Sequence, residues 1–209
     1  MGWLDEIGGK SRFAFGRNWK NFSRIIDEQR IDLATRCLAD FAGLNDLTGL
    51  TFVDVGCGSG LMSLAAYRMG ASVFSFDYDK DSVECTKALR SRYCENVERW
   101  DVVEGSVLDR EFLRTIGQYD VVYSWGVLHH TGQMWNAIEN LQLLVKENAV
   151  VYIALYNFQA RWSSFYLDLK KAYTRANFPG KFSILFLYLL YTMGIAMMFD
   201  ILRLRNPTK

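Results

Sequence analysis

The stretch Thr51-Phe52-Val53-Asp54-Val55-Gly56-Cys57-Gly58-Ser59-Gly60 decides how the rest of the chain is read. Phe52, Val53 and Val55 are strand formers, as a strand covered on both faces requires. Gly56, Gly58 and Gly60 then supply backbone that takes positive φ and lets a ligand approach the main chain closely. Leu61-Met62-Ser63-Leu64-Ala65-Ala66-Tyr67 follows as a helix, whose first N–H groups would face whatever occupies the turn. Strand, glycine turn and helix in that order predict an α/β fold with a doubly wound, Rossmann-like sheet.

The turn is not the dinucleotide fingerprint, because Leu61 stands where that pattern needs its third glycine. Asp54 also suits a ligand with a positive group better than a pyrophosphate. The string Asp54 to Gly60 resembles motif I of class I S-adenosylmethionine (SAM)-dependent methyltransferases. That ligand carries an α-ammonium and a sulfonium and no phosphate. The resemblance implies that Asp54, Gly56, Cys57, Gly58 and Gly60 hold its amino-acid arm, with S-adenosylhomocysteine as the product. It covers roughly residues 50–157.

Composition narrows the alternatives. The chain has 209 residues, half of them hydrophobic, and a formal net charge of +1. That is enough for a sizeable core and offers no overall attraction for nucleic acid. Cys37, Cys57, Cys85 and Cys94 form no C-x-x-C pair, which predicts free thiols in a reducing compartment, here the cytoplasm. The two histidines, His129 and His130, are adjacent, so no metal site is expected. Met1-Gly2-Trp3-Leu4-Asp5-Glu6 does not read as a secretory leader, and Glu6 speaks against myristoylation.

The segment 1–48 is expected to be an N-terminal lid and helix. Phe15 and Trp19 either cover the ligand, with Arg12 or Arg17 reaching its carboxylate, or dock the N-terminus on the core. Ile25, Ile26, Ile31, Leu33, Ala34, Cys37, Leu38 and Phe41 are spaced for a helix over about 24–42, stopped by Gly43.

Beyond the turn, the pattern predicts a strand over 71–77, a helix over 81–93, a strand over 100–104 and a helix over 111–116. A strand over 119–124, a helix over 135–144 and a strand over 149–156 complete the core. Asp77 ends the second strand, where a carboxylate can accept from both ribose hydroxyls. The resemblance sets Tyr78 against the adenine. It sets Ser106 and Val107 at the adenine edge, although many family members carry Asp where Ser106 stands. Trp125-Gly126-Val127-Leu128-His129-His130-Thr131 resembles motif IV of the family's small-molecule branch. It implies that Trp125 and Gly126 flank the methionine arm. His129 or His130 would face the acceptor as base or orienting group, or else cap the following helix. Tyr156 and Asn157 would border the substrate. Lys146-Glu147-Asn148 stands where the family has a Pro-Gly-Gly turn.

The resemblance weakens in residues 158–209, where the family's C-terminal hairpin is not legible; a truncated chain would look the same. Residues 161–176 read as helical. Residues 182–199 carry no charge and are flanked by Lys170, Lys171, Arg175 and Lys181 before, and Arg203, Arg205 and Lys209 after. Three readings are open for them: a helical cap on the substrate pocket, a membrane-surface or lipid-gripping helix, and a transmembrane span.

The expected organisation is a lid over 1–48, a SAM-binding core over 49–157 with sheet order 3-2-1-4-5, and a helical cap over 158–209. The function implied is methyl transfer to oxygen or carbon of a small acceptor, lipophilic in view of the apolar tail, such as a quinone-precursor-like phenol. The fourth-strand segment lacks the Pro-Pro motif that marks base methylation, and nucleic acid is not an expected partner. A catalytically silent SAM-binding or membrane-associated protein is the alternative. A NAD-dependent oxidoreductase is a further one, against which Leu61 and Asp54 speak.

Overall fold

The computed structural model describes residues 19, 22, 25–43, 45–157 and 160–202. They fall into two compact units, one ending at Tyr156 and one beginning at Asn157.

The first unit is built on five parallel strands in the order β3-β2-β1-β4-β5. They are β1 Thr51–Val55, β2 Ser72–Asp77, β3 Trp100–Glu104, β4 Tyr119–Trp125 and β5 Val145–Ala154. The helices are α1 Glu28–Ala42, α2 Leu61–Arg68, α3 Lys80–Tyr93, α4 Arg110–Ile116 and α5 Met134–Asn140. Alternation along β1 explains the two layers. Phe52 packs with Ile31, Leu38, Leu64 and Leu89 of α1, α2 and α3. Val53 and Val55 pack on the opposite face with Leu113 of α4 and Ala137 of α5. The chain leaves the β3 edge and returns beside β1 as β4, so the order reverses between β1 and β4. Ligands of such sheets bind in the crevice at the carboxyl ends of the strands beside that reversal.

Several boundaries differ from the sequence pattern, each for a local reason. Helix α3 begins at Lys80 because Asp79 is its cap, its carboxylate accepting from the Asp81 N–H at 2.9 Å. Asp109 caps α4 in the same way, accepting from the Glu111 and Phe112 N–H groups. The helix expected over 135–144 is α5 followed by a 3-10 turn over Leu141–Leu144. That tightening buries Leu141 and Leu144 and leaves Trp135 exposed.

Strand β5 starts four residues earlier than the pattern suggested and carries a register irregularity opposite Tyr119 and Val121. Asn148 absorbs it with φ 62, the left-handed region that an asparagine tolerates. Lys146 is anchored there, its Nζ donating to Asp120 at 2.8 Å and to the Thr51 hydroxyl at 3.0 Å. The Lys146 hydrogen bond, with two from Thr51, holds the Asp120 carboxyl down to about 2. This clamp ties β1, β4 and β5 together at their amino ends, away from the crevice.

The second unit is two helices, α6 Ala160–Arg175 and α7 Phe178–Leu202. Tyr166 of α6 meets Tyr188 of α7 edge-on, ring centres 6.4 Å apart. No strand hairpin occurs among its described residues.

Candidate active site

The glycine turn closes the carboxyl end of β1. The Gly56 and Cys57 N–H groups both donate to the Phe76 carbonyl, at 2.9 and 3.1 Å, which ties the turn to β2. Gly60 starts α2 at φ 78, and a Cβ there would lie 2.7 Å from Thr86 Cγ2. Any side chain at this position therefore meets both strain and overlap. Gly60 has no side chain with which to cap α2, so the N–H groups of its first turn are not taken by the cap residue.

Asp77 sits beside this turn. Its Oδ2 accepts from the Gly58 N–H at 3.0 Å and its Oδ1 from the Asp79 N–H at 2.9 Å. The Tyr78 N–H adds a third backbone donor, and a carboxylate with about four acceptor positions keeps capacity for a ribose hydroxyl. Burial pushes the Asp77 carboxyl above its ordinary range. Tyr78, next along, is exposed at the rim.

The loop after β3 carries Ser106 and Val107. The Ser106 hydroxyl accepts from the Leu108 N–H at 3.2 Å. The Val107 carbonyl accepts from the buried Asn140 amide at 2.9 Å, and Arg110 donates to the other end of that amide at 2.7 Å. Asn140 thus fixes the loop from α5. A lone asparagine at a helix end gave no sequence signal for this.

Asp54 is buried, and its Oδ2 accepts from the Ser63 hydroxyl at 2.5 Å. Burial, opposed by that hydrogen bond and reinforced by Asp77, pushes its carboxyl up to about 7. Ser63, a polar residue within the apolar run 61–67, is the one mark the sequence offered for this partner. Cys57 is buried too; its thiol is pushed well above the ordinary range, first by burial and then by Asp54 and Asp77. It is a neutral acceptor for the Thr86 hydroxyl at 3.3 Å and not a nucleophile.

At the end of β4 the two expectations part. Gly126 turns the chain at φ 74, its N–H donating to the Ala154 carbonyl. The Trp125 indole stacks on Tyr123 at 6.0 Å and meets Phe41 of α1 edge-on at 5.2 Å. Leu128 is fully buried and pins a 3-10 turn that presents His129 and His130. The His129 ring lies 4.1 Å from His130 and 4.2 Å from Tyr156. Both His129 nitrogens are shielded from solvent, and neither has a hydrogen-bond partner among the described residues. Burial lowers both imidazoles, with His130 adding to the effect on His129, so both are neutral at pH 7.

Trp19 of the N-terminal segment lies on the turn itself, its indole within about 3 Å of where a Gly58 Cβ would stand. A ligand on the turn must share this ring or displace it. Phe15, Arg12 and Arg17 lie outside the described residues.

Residues 53–151 match the family model described as a methyltransferase domain. The chain carries a class I SAM-dependent methyltransferase domain. A mitochondrial ubiquinone-biosynthesis O-methyltransferase of Schizosaccharomyces pombe is 30% identical over 134 residues, covering 63% of this chain and 47% of that protein. A ribosomal protein L11 methyltransferase of Helicobacter hepaticus is 38% identical over 86 residues, covering 41% of this chain and 23% of that protein. The chain spans just under half the length of the ubiquinone-biosynthesis relatives that match it. Among solved structures, a Methanococcus maripaludis protein provisionally described as a SAM-dependent methyltransferase superposes with a TM-score of 0.57 at 19% identity. That superposition covers 78% of this chain and 75% of the other and shows a shared fold.

The methyltransferase domain's residues fit SAM on chemical grounds. Asp54 offers a carboxylate to a cation, Asp77 offers carboxylate oxygens to a hydroxyl, and the start of α2 at Gly60 offers N–H groups to a carboxylate. Among the described residues, no cluster of His, Cys, Asp and Glu is arranged to hold a metal ion.

Proposed function

We propose that the chain transfers a methyl group from SAM to an oxygen or carbon of a small, lipophilic acceptor. The observation that carries the reading is the convergence of two carboxylates, Asp54 and Asp77, on the glycine turn of a methyltransferase domain. Bound SAM supplies an electrophilic methyl group on a sulfonium, displaced in line. The protein's task is therefore alignment and removal of the acceptor's proton. Asp54 holds the ammonium of the amino-acid arm and Asp77 holds the ribose. His129 takes the proton of an attacking hydroxyl, because its imidazole is neutral, shielded and unpaired. His130, more open to solvent, relays or orients.

The test is transfer of isotope-labelled methyl from SAM into membrane and cytosolic extracts, followed by partition between organic phase, water and precipitated protein. Label in the organic phase is expected; label in precipitated protein would favour a macromolecular acceptor. Binding of SAM without transfer to any fraction would favour the silent, SAM-binding alternative. His129→Ala should lower turnover by about 10²–10³-fold with SAM affinity unchanged, if a general base is lost. Unchanged turnover would remove His129 from the chemistry.

The lipophilic half of the proposal is supported by α7. Phe182, Leu185, Phe186, Leu187, Leu189 and Leu190 are all more than half exposed, so apolar surface faces outward beside the half-buried stripe of Ile184, Tyr188, Thr192 and Ile195. The Ser183 and Thr192 hydroxyls turn back onto the carbonyls of Pro179 and Tyr188, so neither needs water as a partner. By length and composition Phe178–Ile195 is long and apolar enough to cross a membrane. We place α7 in lipid, with Lys170, Lys171, Arg175 and Lys181 toward anionic headgroups. The full chain should float with vesicles of phosphatidylcholine and phosphatidylglycerol, and Leu187→Glu with Leu190→Glu should abolish flotation. A wild-type chain that stays in the soluble fraction would overturn the placement.

A further inference from the structure

Three buried groups line up behind Asp54 without touching the crevice. The Trp100 indole N–H donates to the Ser75 hydroxyl at 2.8 Å. The Ser75 hydroxyl donates to the Ser63 hydroxyl at 2.8 Å. The Ser63 hydroxyl donates to Asp54 Oδ2 at 2.5 Å. Trp100, Ser75 and Ser63 are wholly buried and Asp54 is 3% exposed. The chain runs from β3 across β2 and α2 to β1, three hydrogen bonds from one side of the sheet to its centre.

The direction of this chain is set by its two ends. An ionised carboxylate only accepts and an indole N–H only donates. The Ser63 proton therefore points to Asp54, Ser63 accepts from Ser75, and Ser75 accepts in turn from Trp100 on one of its two lone pairs. Each donor polarises the next hydroxyl toward Asp54, so removing Trp100 or Ser75 weakens the donor that Ser63 offers the charge. We propose that Trp100, Ser75 and Ser63 are positioning residues that hold Asp54 ready as the partner of a cationic ligand. The proposal rests on Asp54 as the partner of SAM's ammonium.

The arrangement matches the electrostatics around the carboxylate. Among the described residues, the titratable groups coupled to Asp54 are Asp77, a like charge, with Cys57 and Tyr123. Cys57 and Tyr123 are both pushed up by burial and stay protonated. No cation is among them, so hydrogen bonds alone offset burial of the charge. A donor to a carboxylate is worth about 1.5–3 kcal/mol, which converts to a shift of about one to two pH units when it is lost.

The decisive measurement is the carboxyl titration of Asp54 in the free, full chain, followed by carbon NMR. It needs no ligand and no turnover. Ser63→Ala should move the midpoint upward by about one unit, Ser75→Ala and Trp100→Phe should move it the same way by less, and Ser63→Thr should restore it. The matching readout is S-adenosylhomocysteine affinity against pH. The Ser75→Ala deficit should be largest near pH 6 and fade by about pH 8.5, where Asp54 is ionised in either protein. Ser75→Ala removes a single oxygen and leaves the packing in place. Folded variants whose Asp54 midpoint stays within about 0.2 unit of wild type would overturn the proposal, as would a deficit independent of pH. If the midpoints move as expected but wild type binds no S-adenosylhomocysteine, the chain of donors stands and the reading of the site falls.

Discussion

Asp77→Ala should weaken SAM and S-adenosylhomocysteine binding by about 100-fold, the loss of two hydrogen bonds to a charged acceptor at roughly 1.5 kcal/mol each. The geometry makes the loss specific. Backbone N–H groups of Gly58 and Asp79 hold the two Asp77 oxygens, so the carboxylate is fixed beside the glycine turn. The same substitution frees the Gly58 N–H and should loosen the glycine turn, lowering the melting temperature by a few degrees. Asp77→Asn separates the two effects, because the amide retains one acceptor oxygen and should lose only about tenfold. Calorimetric titration of the three proteins decides the matter. Binding by Asp77→Ala within threefold of wild type would take the ribose away from this residue.

SAM affinity should also fall by about tenfold for each pH unit below 7 and level off above it. The sign follows from burial, which raises the Asp54 carboxyl to about 7 against the Ser63 hydrogen bond. A cationic ligand needs the carboxylate, and below pH 7 the free protein must first give up a proton. The same shift has a stability sign. An acid raised on folding favours the folded state below its unfolded value, and that advantage is lost as pH rises through 7. At neutral pH the free protein therefore carries a penalty from Asp54, up to about 4 kcal/mol for a shift of this size. Asp54→Asn should remove the pH dependence of binding near pH 7, reduce affinity at pH 8 by tenfold or more, and raise the melting temperature of the free protein. A variant that melts lower than wild type at pH 8 would show that Asp54 stabilises the fold and is not strained for binding. Asp77, whose carboxyl is also raised, sharpens the decline at acid pH, so the titration should be repeated in Asp77→Asn.

The order of elements was legible in the sequence because it is written in local pattern. The strand formers Phe52, Val53 and Val55, the glycines that follow and the acid that closes β2 each act within a few residues. Their sum leaves few topologies other than a parallel sheet of order 3-2-1-4-5. Gly56, Gly58, Gly60 and Asp77 were placed at the carboxyl ends of β1 and β2 for the same reason. Element ends were less legible, because Asp79 and Asp109 compete with their neighbours as caps and only three-dimensional packing chooses between them.

What tertiary structure alone decided are the partners that meet across elements. Periodicity cannot show that Trp100 donates to Ser75, that Asn140 of α5 holds the Val107 carbonyl, or that Trp125 turns toward Phe41. Those contacts join residues far apart in sequence, and each depends on a register that only the assembled sheet sets. The sequence by itself determined that a carboxylate stands before a glycine turn. The fold determined that this carboxylate is buried, like-charged with Asp77 and held by a line of hydroxyls, and the proposed cation site rests on that arrangement.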